Sequence, residues 1–501
     1  MTQQLYAGER RGLLREQPHE SRSRYLGGST NCWGGWCRPL DDIDFENRSW
    51  IPASGWPITK SVLAPYYLRS QDWLQLAEQG YGLDEWTDSI LKRHASLLPI
   101  EDTGLQNVLS QLSPPTRFGV QYRDRLNALP NLRVLLFANV TQIESDGTAS
   151  TVTGIRFGTL NGKRFSVEAK YFTLACGGIE NPRLLLMSNQ VEAAGLGNSR
   201  DVVGRYYMDH PRIKSHWLRL ANAHRYRPLY DATLHRIHTG RGNFSRDIEV
   251  HLAPTFEVQR QQHLPNSRTY LVARYSNDVT ESFFALKAIQ RALSGRSHFG
   301  YPRSRVIKDV FRQLPALLLN APTTALTVAD LRFNSVRSRQ NYSLETVFEP
   351  VPNRDSRVSL SSQRDALDLP QVVVDWRLTE RDRDHFTRQT KLVLDGLTQA
   401  GVIEDIDGTR AGEAVWPDDV MGCWHHMGTT RMSEDPANGV VDANCRVHGI
   451  NNLFIAGSSV FPTVGSDSPT ITLVVLALRL ADHIEHSLAS NVMSRGQVNV
   501  A

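Results

Sequence analysis

The sequence predicts an α/β protein, α+β overall, and three observations carry that prediction. Two short apolar runs, Tyr171–Ala175 and Asn452–Ala456, each pass through glycine into a helix-forming stretch. Strand, glycine and helix in that order make the unit of a doubly wound sheet, whose ligands sit beyond the carboxyl ends of the strands. From Leu132 to Ala175 the chain alternates in β fashion about an Asp146-Gly147 turn, the pattern of a β-meander. Strand-like pieces at Arg268–Tyr275 and Gln371–Leu378, followed by an amphipathic stretch from Arg381 to Gly401, suggest a second sheet backed by helices.

In chain order, residues 1–20 are polar and Arg-rich. Ser21–Phe45 then carries four glycines, Gly27, Gly28, Gly34 and Gly35, which permit positive φ and close backbone approach to a ligand. Trp33 and Trp36 beside them could wall an aromatic group or simply pack the turn. Ser54-Gly55-Trp56-Pro57 reads as a turn, with a helix after it that buries Leu63, Tyr67 and Leu74. The meander comprises Leu132–Glu144, Val152–Phe157 and Lys163–Ala175, and Pro182 suits the first turn of the helix beyond it. Lys287–Pro322 is basic, then apolar; it reads as a solvated helix in preference to a membrane-surface one, because Gly and Pro interrupt it. The last helix is apolar on most sides, with Pro469 in its first turn, so its N-terminus can hold an electron-rich group.

Composition excludes several classes. The chain has 501 residues, enough for two or three domains, and 56 Lys and Arg offset by 52 Asp and Glu give no argument for nucleic acid. Five cysteines without CxxC spacing argue against a zinc site or disulfide framework, so no metal is expected and a reducing, cytoplasmic setting is. No signal-peptide pattern and no apolar run of bilayer-spanning length is visible.

Several motifs together resemble the glucose–methanol–choline (GMC) flavoprotein oxidoreductases. They are R-x-LGGS-x-x-x-x-GG from Arg24, Val202–Pro211, Cys423–Met432 with H-x-x-G-T, and Ser458–Arg479. The resemblance implies an FAD-binding Rossmann-like domain (1–212, returning at 417–501) and a substrate domain at 213–416, an antiparallel sheet backed by helices. It places FAD against Gly27, Gly28, Ser29, Asn31, Cys32, Trp33, Gly34 and Gly35, against Val140 for the adenine, and against Ala175 and Gly177. Gly457, Ser458, Ser468, Pro469 and Thr470 complete the set. It also implies a small alcohol or sugar as substrate, with an electron-accepting protein or quinone, and a membrane association, as the runner-up reading.

Catalytic roles follow the same resemblance. His425 would take the hydroxyl proton, since a histidine is mostly neutral at pH 7. His426 is its competitor, but neighbours in extended backbone face opposite ways. Ser468 stands where most relatives carry His or Asn; it would orient the substrate oxygen, with helix capping as an equal alternative. Asp467, if it faces the site, would raise the His425 pKa. His210, before a proline, reads as structural, and Cys32 as a buried free thiol in place of a covalent flavin link.

One expected motif is missing. No G-x-G-x-x-G occurs in the chain, although a relative would open with strand, that loop and helix. A truncated sequence is the expectation, because the other motifs are intact. A unit supplied by another polypeptide, or a non-catalytic remnant that has lost FAD, are the alternatives.

Overall fold

The computed structural model describes residues 2–92, 95–231, 247–274, 341–406, 416 and 418–498, with isolated positions between 311 and 329. Most of Lys287–Pro322 therefore lies outside the described residues.

The largest sheet has eight strands, neighbours all antiparallel. Its strands are β2 (Trp36–Cys37), β3 (Leu105–Leu112), β8 (Pro211–Leu220), β9 (Asp247–Pro254), β10 (Ser267–Arg274), β11 (Asn341–Phe348), β14 (Ile403–Ile406) and β15 (Met421–Gly422). They run β14-β8-β11-β10-β9-β3-β2, with β15 beside β8. Leu109, Leu218, Val250, Leu271 and Leu344 make its core face and pack under a long helix, α3 (Glu380–Gln399). That helix starts at Thr379, whose hydroxyl caps Asp382 N–H while the Asp382 carboxylate returns to Thr379 N–H. It ends before Gly401, which takes φ +65°. The antiparallel sheet and its capped helix match the expectation.

Three smaller sheets complete the molecule. The meander β4 (Asn139–Ser145), β5 (Val152–Gly158) and β6 (Arg164–Val167) is antiparallel, with the turn at Asp146-Gly147. β1 (Gly8–Gly12) lies parallel to β13 (Pro370–Trp376), which pairs in turn with β12 (Arg357–Arg364). β7 (Phe172–Leu174) pairs parallel with β16 (Leu453–Ile455), remote in sequence and adjacent in space. Each of these two leads to a helix, α2 (Gly177–Met187) and α4 (Thr470–Val498). Leu174, Leu185, Val441, Ile455, Ile471 and Val475 share one core there with Leu63, Tyr67 and Leu74 of α1 (Lys60–Leu74).

Three local expectations need correction. The strand expected from Leu132 begins only at Asn139; Leu132, Val134, Leu135, Leu136 and Phe137 are exposed loop. The stretch Lys163–Ala175 is two strands in two sheets, since β6 pairs β5 and β7 pairs β16. Pro182 is the sixth residue of α2, beyond its first turn. No described helix is long and apolar enough to cross a membrane.

Candidate active site

The site is built where the carboxyl ends of β7 and β16 open toward the glycine-rich loop. Ala456 N–H donates to Leu174 O at 2.8 Å, which sets the two strand ends level. Beyond them, Ala175, Cys176 and Gly177 are exposed, and Gly457 and Ser458 are half-buried. Gly177 (φ +86°) and Gly457 (φ +110°) take backbone that glycine alone adopts without strain, and a Cβ at either would enter open space. Gly28, at φ +53°, has the same open space in front of it. Glycine at all three leaves the backbone open to close approach by a ligand.

The glycine-rich loop is clamped from behind. Arg117 donates to Thr30 O and Trp33 O at 2.9 and 3.1 Å, and Trp33 Nε1–H donates to Thr116 O at 3.0 Å. Asn31 ties Leu26 O and Gly28 O, each at 2.9 Å. The Arg24 guanidinium reaches Asn139 Oδ1 at 2.9 Å and so brings the loop beside Val140 at the start of β4. Ser29 and Gly34 are exposed, whereas Gly35 is buried against Ser113 and Pro115. Cys32 corrects an expectation: it is exposed, with Sγ 3.4 Å from Ser23 Oγ at the end of a short turn.

The segment holding His425 is fixed at both ends. Asp209 accepts three N–H groups, from Cys423 (3.1 Å), Trp424 (3.0 Å) and His425 (2.8 Å), and holds Trp424 at φ +62°. Burial pushes the Asp209 carboxyl up to about 6, against the pull of those N–H groups. Downstream, Gly428 N–H donates to Ser458 O at 3.2 Å, Ser458 Oγ donates to His426 O at 2.9 Å, and Met432 N–H reaches Val460 O at 2.7 Å. The Thr429 hydroxyl donates to Gly178 O at 2.6 Å. That carbonyl is the one Pro182, four residues on in α2, has no N–H to satisfy. The proline thus anchors the H-x-x-G-T segment onto the helix after β7.

His425 is half-buried, and its proton affinity is held well below the usual histidine value. Burial is the main cause, followed by His210, His426 and Arg212. Its Nδ1 lies 2.9 Å from Nδ1 of His210, which is fully buried; His210, expected as structural, therefore touches the candidate base. His426 turns the other way, stacked 6.1 Å from Tyr207 and lowered to about 3 by burial. The opposite facing of the two neighbours accords with the extended-backbone argument.

Ser468 sits half-buried just before α4, whose first helical residue is Thr470, so Pro469 precedes the helix. Leu473 N–H bonds Pro469 O at 2.9 Å; among the described residues the Ser468 hydroxyl caps nothing. Asp467 turns away from His425 into a buried cluster, 2.8 Å from Arg268 and 3.6 Å from Arg38, so it does not act on the histidine as expected. The sequence reading missed Asp209 and the contact role of His210. The signal was present in Met208-Asp209-His210-Pro211, two polar groups entering the interior just after buried Tyr207 and Met208. No cluster of metal-ligating side chains occurs among the described residues.

Comparison with known proteins bears on identity. A family model described as GMC oxidoreductase matches residues 352–477. The 6'''-hydroxyparomomycin C oxidase of Streptomyces lividus is 35% identical over 162 residues, 32% of this chain and 28% of that protein. The fructose dehydrogenase large subunit of Gluconobacter japonicus is 24% identical over 360 residues, 71% of this chain and 54% of that one. The matches thus span about half the length, or less, of these curated relatives. Formate oxidase from Aspergillus oryzae RIB40 shares the fold, with a TM-score of 0.53 at 16% identity over 96% of this chain and 88% of that one. The C-terminal match covers both the H-x-x-G-T loop and the start of the last helix, so residues 352–477 are similar to the GMC oxidoreductase family.

Proposed function

We propose that this chain oxidises a hydroxyl group of a sugar or other small alcohol with FAD as cofactor, and that His425 is the base. The observation that carries the reading is the placement of His425. It stays in its basic form, on a loop bonded to the open carboxyl ends of β7 and β16 through Thr429 and Ser458. The residues present fit the cofactor: Gly28, Gly177 and Gly457 leave open space in front of the backbone, and the Arg24–Asn139 bond brings Val140 beside the glycine-rich loop. Gly27–Gly35, Ala175, Gly177, Gly457, Ser458 and Ser468–Thr470 would hold it. When bound, FAD supplies the acceptor for the hydride that leaves the carbinol carbon. His425 takes the hydroxyl proton as the carbonyl forms, and then carries a positive charge beside the site. Ser468 donates to or accepts from the substrate oxygen and orients it. The two curated relatives bear the names fructose dehydrogenase large subunit and 6'''-hydroxyparomomycin C oxidase, and the first supports a sugar substrate.

Absorption of the purified chain with added FAD tests cofactor binding, since protein-held flavin has a band near about 450 nm. Dye reduction with a panel of sugars and alcohols then tests turnover. His425→Gln should keep the band and lower turnover by roughly 10²–10⁴-fold. A flavin-loaded His425→Gln protein as active as its parent would remove His425 from the mechanism. Failure to take up FAD in excess would favour a non-catalytic remnant. Dye reduction without oxygen consumption would indicate a dehydrogenase that passes electrons to a protein or quinone.

A further inference from the structure

Hydrogen-bond direction around His210 can be followed atom by atom. Its Nε2 faces two backbone carbonyls, Gly465 O at 2.9 Å and Val464 O at 3.3 Å. A carbonyl oxygen only accepts, so Nε2 carries the hydrogen. The neutral ring has a single N–H, which leaves Nδ1 of His210 as a bare lone pair. Burial keeps the ring neutral, with its proton affinity lowered to about 4. That lone pair lies 2.9 Å from Nδ1 of His425, with the two rings at 89°. Two lone pairs at this distance would repel, so Nδ1 of His425 must donate. Its remaining nitrogen, Nε2, is then the basic one.

The anchor behind His210 is itself fixed. Gly465 takes φ +56°, and its N–H points to Glu349 Oε1 at 3.4 Å. Glu349 holds Arg48 through two bonds of 2.6 and 2.7 Å, both side chains fully buried. The carbonyls that orient His210 therefore belong to a turn pinned by a buried bidentate ion pair.

We infer that His210 is a positioning residue that locks His425 in the Nδ1–H tautomer and so makes Nε2 its proton-accepting atom. This rests on the proposed role of His425 as base. Once His425 is protonated, its Nδ1–H keeps a neutral acceptor, which steadies the cation without a second charge that could compete for the proton.

Long-range ¹H–¹⁵N correlation on the full chain labelled in histidine reads the tautomers directly, without substrate or turnover. His425→Gln and His210→Asn assign the signals. The expected spectrum shows His425 protonated at Nδ1 and bare at Nε2, with His210 the reverse. His210→Asn places an amide oxygen close to the lost lone pair and should keep the His425 tautomer. His210→Phe removes the acceptor and should shift His425 toward Nε2–H. His425 carrying Nε2–H in the parent protein, or keeping its tautomer in a folded His210→Phe variant, would overturn the inference. Should His210→Phe not fold, the parent spectrum still decides. The expected tautomers together with an active His425→Gln would leave this inference standing and sink the catalytic reading, so the two fail separately.

Discussion

At position 468 the chain carries a half-buried hydroxyl, which we propose orients the substrate oxygen. The residues left two readings open there, a helix cap or a substrate contact. The geometry offers the cap no support: the carbonyl of Pro469 opens α4, and the hydroxyl bonds nothing among the described residues. A lost N-cap costs about 1 kcal/mol, whereas a side chain that caps nothing costs far less. Ser468→Ala should therefore leave urea unfolding within about 0.5 kcal/mol of the parent. It should lower kcat/KM about tenfold, the value of one hydrogen bond of about 1.4 kcal/mol to the reacting oxygen. A loss near 1 kcal/mol of stability with kcat/KM unchanged would restore the capping reading. The facing of side chains was legible where backbone geometry sets it, as for His425 toward His210 and His426 toward Tyr207. Roles were illegible where they depend on a partner far along the chain. Asp467 meets Arg268, and His210 meets His425, only after folding, and no local pattern marks either pair.

Elements were read well wherever a repeat of two or of 3.6 residues coincided with a neighbour to pack on. The helix α3 and the meander turn are of this kind. The run from Leu132 fails for the same reason reversed: its apolar residues promise a strand, yet a strand forms only where another pairs with it, and among the described residues none does before Asn139. At the site, adjacent glycines at the head of α2 have different duties, which gives an element-scale prediction. A Cβ on Gly178 would lie 2.2 Å from His426 O, a backbone atom that cannot swing aside. Gly178→Ala should push the H-x-x-G-T segment away and destabilise the protein by roughly 1–3 kcal/mol. Gly177→Ala meets no atom of the chain; its left-handed backbone costs only about 1 kcal/mol. Its methyl group projects into the open space proposed for the cofactor, so FAD affinity should fall about tenfold or more. Unfolding curves and FAD titration of both variants check this. Equal stability losses with equal FAD affinities would show that the open space in front of Gly177 is not where the cofactor lies.

For the whole molecule, the topology was legible as a class, an antiparallel sheet beside strand–glycine–helix units. The detailed assembly was not. The eight-stranded sheet recruits Trp36–Cys37 and Leu105–Leu112 from early in the chain, pairings that only the folded sheet reveals. The fold buries several histidines, and these bear on its acid stability. His385, on α3 and away from the site, is the cleanest case. Burial, and then Arg388, lower it to about 4, while Asp384 and Glu349 pull the other way and Arg381 adds to the lowering. An unfolded histidine titrates near about 6.5. Above that pH the ring is neutral in both states and costs nothing. Between about 6.5 and 4 the unfolded chain binds a proton that the native one refuses, so native stability falls with pH by about 1.4 kcal/mol per unit from this residue. Asp209, raised to about 6, has the opposite sign: its contribution is present at low pH and lost as pH rises through about 6, so it partly hides the histidine effect in the parent protein. Comparison with His385→Gln cancels the shared background. The difference in urea unfolding free energy between variant and parent should be flat from pH 8 to about 6.5, then shift in favour of the variant by roughly 3 kcal/mol at pH 4. Parallel curves over the whole range would mean that His385 takes up its proton in the native fold, and that α3 leaves it reachable by water.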